Sequence, residues 1–238
     1  MSDEISSNAT DYAVAIAKSA LGAVPIAGPF LAELAGTVIP RQRADRLADF
    51  ARGLATNLNT LDQDVLRTKL TNENFTDLVE EGAREAVRAV SAERREYVAH
   101  LVSAGLTEDK VSYVESKHLL RILSKLNDIE IIWLRFYDFP FMSGNHEFRV
   151  KHAAVLKPIT VTLSCGSEVI DQEVLQQNYV EHLVSLGLLR RSLKVDSTTR
   201  QPVFDLHSGD WKYQSRQSAP LGRLLLRQIG IACRSDAA

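Results

Sequence analysis

Hydrophobic positions along the chain fall into helical steps over most of its length, and they begin with an unusual stretch. Tyr12 to Pro40, YAVAIAKSALGAVPIAGPFLAELAGTVIP, carries only Lys18 and Glu33 as charges and is broken by Pro25 and Pro29. Tyr12 to Leu21 is Ala-rich and predicts a helix that Gly22 closes. Pro29 suits the first turn of a second helix, which runs to about Val38 before Pro40. The pattern predicts an apolar helical hairpin over residues 12–40.

The pattern then becomes amphipathic. Leu47, Phe50, Leu54, Leu58 and Leu61 recur at three- and four-residue steps, with Arg43, Arg46, Asp49 and Arg52 between them. Phe75, Leu78, Val79, Ala83, Ala86 and Val90 predict another helix, with Asn72 or Asn74 as its cap. Ser91 caps a third, which buries Tyr97, Leu101 and Ala104 and stops at Gly105. Thr107 opens a fourth, with Val111, Val114, Leu119, Ile122, Leu123 and Leu126 on its apolar stripe.

Asn127-Asp128 is the domain boundary on this pattern, giving a helical domain over 1–127 and a second over 128–238. IEIIWLRFYDF is a dense apolar helix with Trp133 and Phe136 turned inward, ended by Pro140. An insertion over about 139–170 reads as irregular, with one helical turn near His152 to Leu156 and a short strand at Ile159 to Leu163. Asp171 is expected to cap a helix holding Val174, Leu175, Tyr179, Leu183 and Leu186, closed by Gly187. Leu188 to Val195 and Val203 to Leu206 predict two strands joined by a polar turn. Ala219 to Ile229 predicts a last helix with Leu221, Leu224, Leu225 and Ile229 inward. Helix, strand, helix and a two-stranded wing is the order of a winged helix. The predicted fold class is mainly α: a helical bundle with an apolar hairpin, then a winged-helix-like α+β module.

Composition adds little to class. The 238 residues are 45% hydrophobic and 24% charged, with net charge −2, ordinary for a globular chain with no global demand for nucleic acid. Met1 to Thr10 is polar and acidic, unlike a secretory leader, so a cytoplasmic location with reduced Cys165 and Cys233 is expected.

Two readings of the hairpin stay open. It is either core, or a membrane-entering element in which Leu21, Val24, Ile26, Phe30 and Leu31 meet lipid. In the second reading Arg41, Arg43 and Arg46 sit at anionic headgroups, and the protein is peripheral at the inner face of the membrane. The run is too short and too interrupted by proline to span a bilayer as one helix.

The second half poses a nucleic-acid question. From Arg190 onward there are nine basic against four acidic residues, a local +5, while the remainder has 19 basic and 26 acidic residues, or −7. Arg190, Arg191, Lys194 and Arg200 could contact phosphate, and Gln176, Gln177 and Asn178 could read bases. Asp171 to Gly187 nevertheless carries Asp171, Glu173 and Glu181 and no Lys or Arg. A helix between two rows of phosphate would be repelled, so protein contacts are the preferred reading and DNA binding the alternative.

Catalytic patterns fall short. His146-Glu147 lacks a second histidine four residues on, where Val150 stands. Asp210-Trp211-Lys212 with Asp205 upstream has the carboxylate-x-lysine order of some nucleases, which makes a metal-dependent hydrolase a remote alternative. No serine lies in a glycine elbow. No catalytic residue, metal site or cofactor is expected. A protein partner or self-association is, with an anionic membrane surface as a further partner.

The proline-glycine hairpin, Pro40-Arg41-Gln42-Arg43 with its amphipathic helix, YVEHLVSLGLL at Tyr179 to Leu189 and APLGRLLLRQIG at Ala219 to Gly230 together carry a family likeness. Over about 12–230 the chain resembles bacterial abortive-infection alpha-type proteins. The resemblance implies a bacterial, cytosolic, membrane-directed role in phage defence, and implies no reaction.

Overall fold

A computed structural model describes residues 41–58, 73–107, 113–138, 146–160, 165–206 and 209–233. The hairpin over 12–40, the shorter piece at 59–72 and residues 161–163 of the expected strand lie outside the described residues, and Ile159 and Thr160 are described outside any strand. The fold is mainly α with a small antiparallel β element in its C-terminal part. It divides into two units between Lys125 and Leu126, with Gln228–Gly230 belonging to the first.

The first unit is built on helices α1 (Arg41–Leu58), α2 (Glu73–Arg88), α3 (Ala92–Thr107) and α4 (Tyr113–Lys125). Each helix lays its apolar stripe inward. Leu47, Phe50, Leu54 and Leu58 of α1 are all at most 1% exposed, and Leu78, Val79, Ala83 and Ala86 of α2 are buried with them. Leu101 and Val102 of α3 and Leu119, Leu120 and Leu123 of α4 complete the core. Ser91 caps α3, its Oγ accepting the Arg94 amide at 3.1 Å.

The α2–α3 turn leaves carbonyls that water would otherwise satisfy. Arg95 Nη1 donates to the carbonyls of Ala89, Val90 and Ser91 at 3.0–3.2 Å, and its Nη2 pairs with Asp49 of α1 at 2.8 Å. Arg46 Nη1 donates to the Val87 carbonyl at 3.1 Å. Between α2 and α4, Lys117 pairs with Asp77 at 2.6 Å and Glu81 at 2.9 Å, and Tyr113 donates to Asp77. The Lys117 ammonium, then the Tyr113 hydroxyl, hold the Asp77 carboxyl below its usual range, and Asp77 and Glu81 hold Lys117 above its own.

Several expectations here are corrected: Thr107 is the last residue of α3 and does not open the next helix, and Tyr97 and Ala104 are only part-buried. α3 runs through Gly105 to Thr107. A Cβ at Gly105 would lie 2.7 Å from Ser116 Oγ and 2.8 Å from Leu78 Cδ2, so this glycine marks a close approach of helices and not a stop. Val90 is 80% exposed because it sits in the turn after α2 ends at Arg88, and Val114 is 71% exposed because the inward face of α4 passes through Ser116, Leu119, Leu120 and Leu123.

The second unit opens with α5 (Asp128–Asp138), followed by α6 (His146–Lys151), α7 (Ala153–Leu156) and α8 (Ser167–Ser185). It then has β1 (Leu189–Leu193), β2 (Phe204–Asp205), β3 (Asp210–Trp211), β4 (Tyr213–Ser218) and α9 (Pro220–Gln228). Asn127 and Glu130 form a capping box at the start of α5. The Asn127 amide donates to Glu130 Oε2 at 2.7 Å and the Glu130 amide to Asn127 Oδ1 at 2.9 Å. Glu130 is buried, and its other oxygen meets His182 Nδ1 of α8 at 2.6 Å. α8 ends at Gly187, with φ +72°, and the Leu188 amide reaches back to the Leu183 carbonyl at 2.9 Å.

The β element departs from expectation. β1 pairs antiparallel with β4, in the register Leu189↔Ser218, Arg190↔Gln217, Arg191↔Arg216, whereas Phe204–Asp205 pairs with Asp210–Trp211. YQSRQS has no alternation of apolar residues, so the actual partner of β1 gave no strand signal. Within about 139–170, α7 is the helical turn expected near His152 to Leu156, and α6 adds order where the sequence reads as irregular. α8 starts at Ser167 with Gly166 before it, so Asp171 lies in its second turn and does not cap it. Val174 and Leu175 are 55% and 53% exposed, because the inward side of α8 is set by Val180 and Leu183 near its C-terminal end. Phe136 is only part-buried, while Trp133 beside it is 6% exposed. In α9, Leu225 and Leu226 are buried, while Leu221 and Leu224 are part-covered, and Ile229, just past its end, is buried.

Candidate functional site

The surface with the most chemistry to explain is formed by α8 and the wing that follows it. At the wing's base β4 is tied to α5 and α9. Ser218 Oγ donates to the buried Asp138 carboxylate at 2.6 Å, and Arg223 Nη1 donates to the Ser218 carbonyl at 2.9 Å. Gly222 admits the backbone of β1's entry: a Cβ there would stand 2.3 Å from the Leu188 carbonyl oxygen.

Further out, Arg191 and Arg216 are direct cross-strand partners. Two cations facing each other on one ribbon repel. Glu181 of α8 resolves this by pairing with both, to Arg216 at 3.1 Å and to Arg191. Arg191 also lies over the Tyr213 ring, 4.7 Å from its centroid. Tyr137 nearby has its hydroxyl pKa pushed up by burial, an effect that the Arg216 charge opposes. Two of the wing's cations are thus consumed by the helix beside them.

The tip is a fork. The Lys194 amide donates to the Lys212 carbonyl at 2.8 Å, the Val203 amide to the Lys194 carbonyl at 2.9 Å, and the Lys212 amide to the Val203 carbonyl at 2.8 Å. Two short loops leave this triangle. In one, Asp196 Oδ1 accepts the Thr198 and Thr199 amides at 2.9 and 2.8 Å, which holds its carboxyl below the usual range. Arg200 in that loop has φ +55°. In the other, Gly209 turns the chain between β2 and β3.

The tip is apolar where a soluble loop would be polar. Leu193, Val195, Phe204, Leu206 and Trp211 are all exposed, Leu206 at 91%, and Phe204 and Trp211 meet edge-to-face at 5.3 Å. Ile170, Val174 and Leu175 are likewise exposed on the first half of α8. Apolar side chains gathered on a surface mark contact sites more often than singly scattered ones do.

The residues singled out from sequence fall as follows. Gln176 is engaged, donating to the carbonyls of Val155 and Lys157 at 3.3 and 3.1 Å, and Gln177 donates to Glu173. Asn178 is exposed. Arg190 reaches Gln217 at 3.4 Å, Arg191 is held by Glu181, and Lys194 and Arg200 are exposed. Leu21, Val24, Ile26, Phe30 and Leu31 lie outside the described residues, as does the side chain of Arg41. Arg43 is exposed, while Arg46 is committed to the Val87 carbonyl and is not a free surface cation. Asp205 and Asp210 are opposed across β2–β3, and Lys212 lies 3.6 Å from Asp205. The register brings the two positions together on a hairpin of two-residue strands and not at the end of a larger sheet. No group of three metal-ligating side chains occurs among the described residues.

Sequence reasoning missed Glu181 as the partner of two arginines, and it missed Phe204, Leu206 and Trp211 as exposed. The first is a contact across 10 and 35 residues that no local pattern records. In the first unit an open cavity of about 320 Å³ adjoins Arg88, Arg94 and Ser124, and Arg94 donates there to the Leu123 carbonyl. Among the described residues no helix is long and apolar enough to cross a membrane. No protein-family profile, curated protein or solved structure matches the chain.

Proposed function

We propose that this chain is a non-enzymatic protein that works through contacts of its second unit with a protein partner, made by the wing tip and the outer face of α8. The observation that carries this reading is the pairing of exposed Leu206, Phe204 and Trp211 with a wing whose Arg191 and Arg216 are both held by Glu181. Duplex binding needs free cations, and protein interfaces need desolvatable apolar and aromatic anchors. Two of the former are tied to one carboxylate, which offsets one of their two charges, and the wing displays the latter. The setting is the one that the sequence resemblance implies, bacterial phage defence, with residues 12–40 as the membrane-directed element.

A phage-challenge assay in a host expressing the chain tests this. Leu206→Ser with Trp211→Ser is expected to abolish protection while leaving the circular dichroism near wild type and lowering Tm only through loss of the Phe204–Trp211 ring contact, since Leu206 is 91% exposed. Gln177→Ala with Asn178→Ala, which removes base-reading groups, is expected to leave protection intact. The reverse pattern would favour DNA recognition by α8.

A further inference from the structure

The two exposed apolar surfaces of the second unit carry opposite charge. α8, over Ser167–Ser185, has Glu168, Asp171, Glu173 and Glu181 and no Lys or Arg, a charge of −4. The wing, over residues 189–218, has Arg190, Arg191, Lys194, Arg200, Lys212 and Arg216 against Asp196, Asp205 and Asp210, a charge of +3. The internal pairings do not exhaust either set. With Glu181 assigned to Arg191 and Arg216, the first half of α8 still presents Glu168 and Asp171, and the tip still presents Lys194 and Arg200, all exposed. Each charge set borders apolar side chains, Ile170, Val174 and Leu175 on the helix and Val195, Leu206 and Trp211 on the wing.

We infer that the partner of this face is a second copy of the same chain, the wing of each copy lying on the first half of α8 of the other. This deepens the protein-contact reading above and rests on it. Wing against wing would oppose cations, and helix against helix would oppose carboxylates, so only the crossed arrangement attracts. A two-fold axis uses the crossed contact twice, so each contact supplies half of the roughly 1,600 Å² that a stable interface buries. The apolar side chains supply the desolvation energy, and the rim charges set the register and speed the encounter.

Sedimentation velocity of the full chain from about 1 to 100 μM tests the inference. The wild type is expected to sediment as a species of about twice 26.4 kDa at the upper concentrations. A helix variant, Glu168→Lys with Asp171→Lys, and a wing variant, Lys194→Glu with Arg200→Glu, are each expected to dimerise at least tenfold more weakly. Mixed in equal amounts, they are expected to recover the dimer, because every crossed contact is then again between opposite charges. A wild type that stays monomeric overturns the inference, as do a dimer indifferent to both variants and a mixture that fails to recover. If the wild type is monomeric yet Leu206→Ser with Trp211→Ser still abolishes protection, self-association fails while the protein-contact reading stands.

Discussion

Glu181→Gln is the perturbation that most sharply separates a self-neutralised wing from a nucleic-acid-binding one. The carboxylate pairs with Arg216 at 3.1 Å and with Arg191, and these two arginines are Cα partners across the ribbon. The three side chains are 23–38% exposed, so each pair is worth only about 0.2–1 kcal/mol. Losing both, with the two guanidiniums left facing each other, sets the cost at about 1–2 kcal/mol, a fall in Tm of roughly 2–8 °C. The electrostatic consequence is larger. Two cations freed for phosphate steepen the dependence of log K on log salt by about 1.8, since each neutralised phosphate contributes about 0.9. Between 50 and 200 mM salt that is about a tenfold steeper loss of affinity. Fluorescence anisotropy with a random-sequence duplex, run on wild type and variant across that range, reads it directly. The variant is expected to gain weak, salt-sensitive binding that the wild type lacks. A variant unchanged in both Tm and salt slope would refute the idea that Glu181 holds these cations.

Gly222→Ala should cost about 1–3 kcal/mol by thermal or urea unfolding, because its Cβ would stand 2.3 Å from the Leu188 backbone oxygen and 3.0 Å from Leu134 Cδ1. A neutral result would mean that β1 and α9 do not approach so closely. Arg43→Glu should leave stability within about 0.5 kcal/mol and weaken binding to anionic liposomes by about 1 kcal/mol, whereas Arg46→Glu should destabilise by about 1–3 kcal/mol through the orphaned Val87 carbonyl. Equal stability of the two variants would contradict the Arg46 contact. The Asp77–Lys117 pair makes stability depend on pH at both ends. Asp77 is depressed, so its contribution is present above about pH 4 and lost as pH falls through its folded value; Lys117 is raised, so its contribution is present below about pH 10 and lost as pH rises. Lys117→Met should flatten both limbs, by under about 1 kcal/mol given that Asp77 is 45% exposed, in melts from pH 2 to 11.

The parts of the fold legible in the sequence were those fixed by local periodicity. Leu47, Phe50, Leu54 and Leu58 mark a buried face because helical steps of three and four place them on one side, and Ser91 marks a helix start because its hydroxyl replaces a missing amide partner. The misses have physical causes. Val174 and Leu175 satisfy helical spacing, yet both are more than half exposed, and periodicity cannot say which apolar face is covered. β1 pairs along its length with β4, and the expected pairing toward Val203 survives at the turn, where Val195 bridges Pro202 and the Val203 amide donates to the Lys194 carbonyl. The candidate site was half legible: its charges are plain in the sequence, but their cancellation by Glu181 appears only in three dimensions.

The central claim, that the wing tip touches protein, is tested most directly by a benzophenone photo-crosslinker placed at Leu206, 91% exposed at the end of the fork. Irradiated in cells, it should join the chain to a protein, giving a shifted band that survives nuclease and is lost to protease. Within that band, peptides from the first half of α8 would identify a second copy as the partner. Crosslinks to nucleic acid alone, or none at any stage of a phage challenge, would contradict the account.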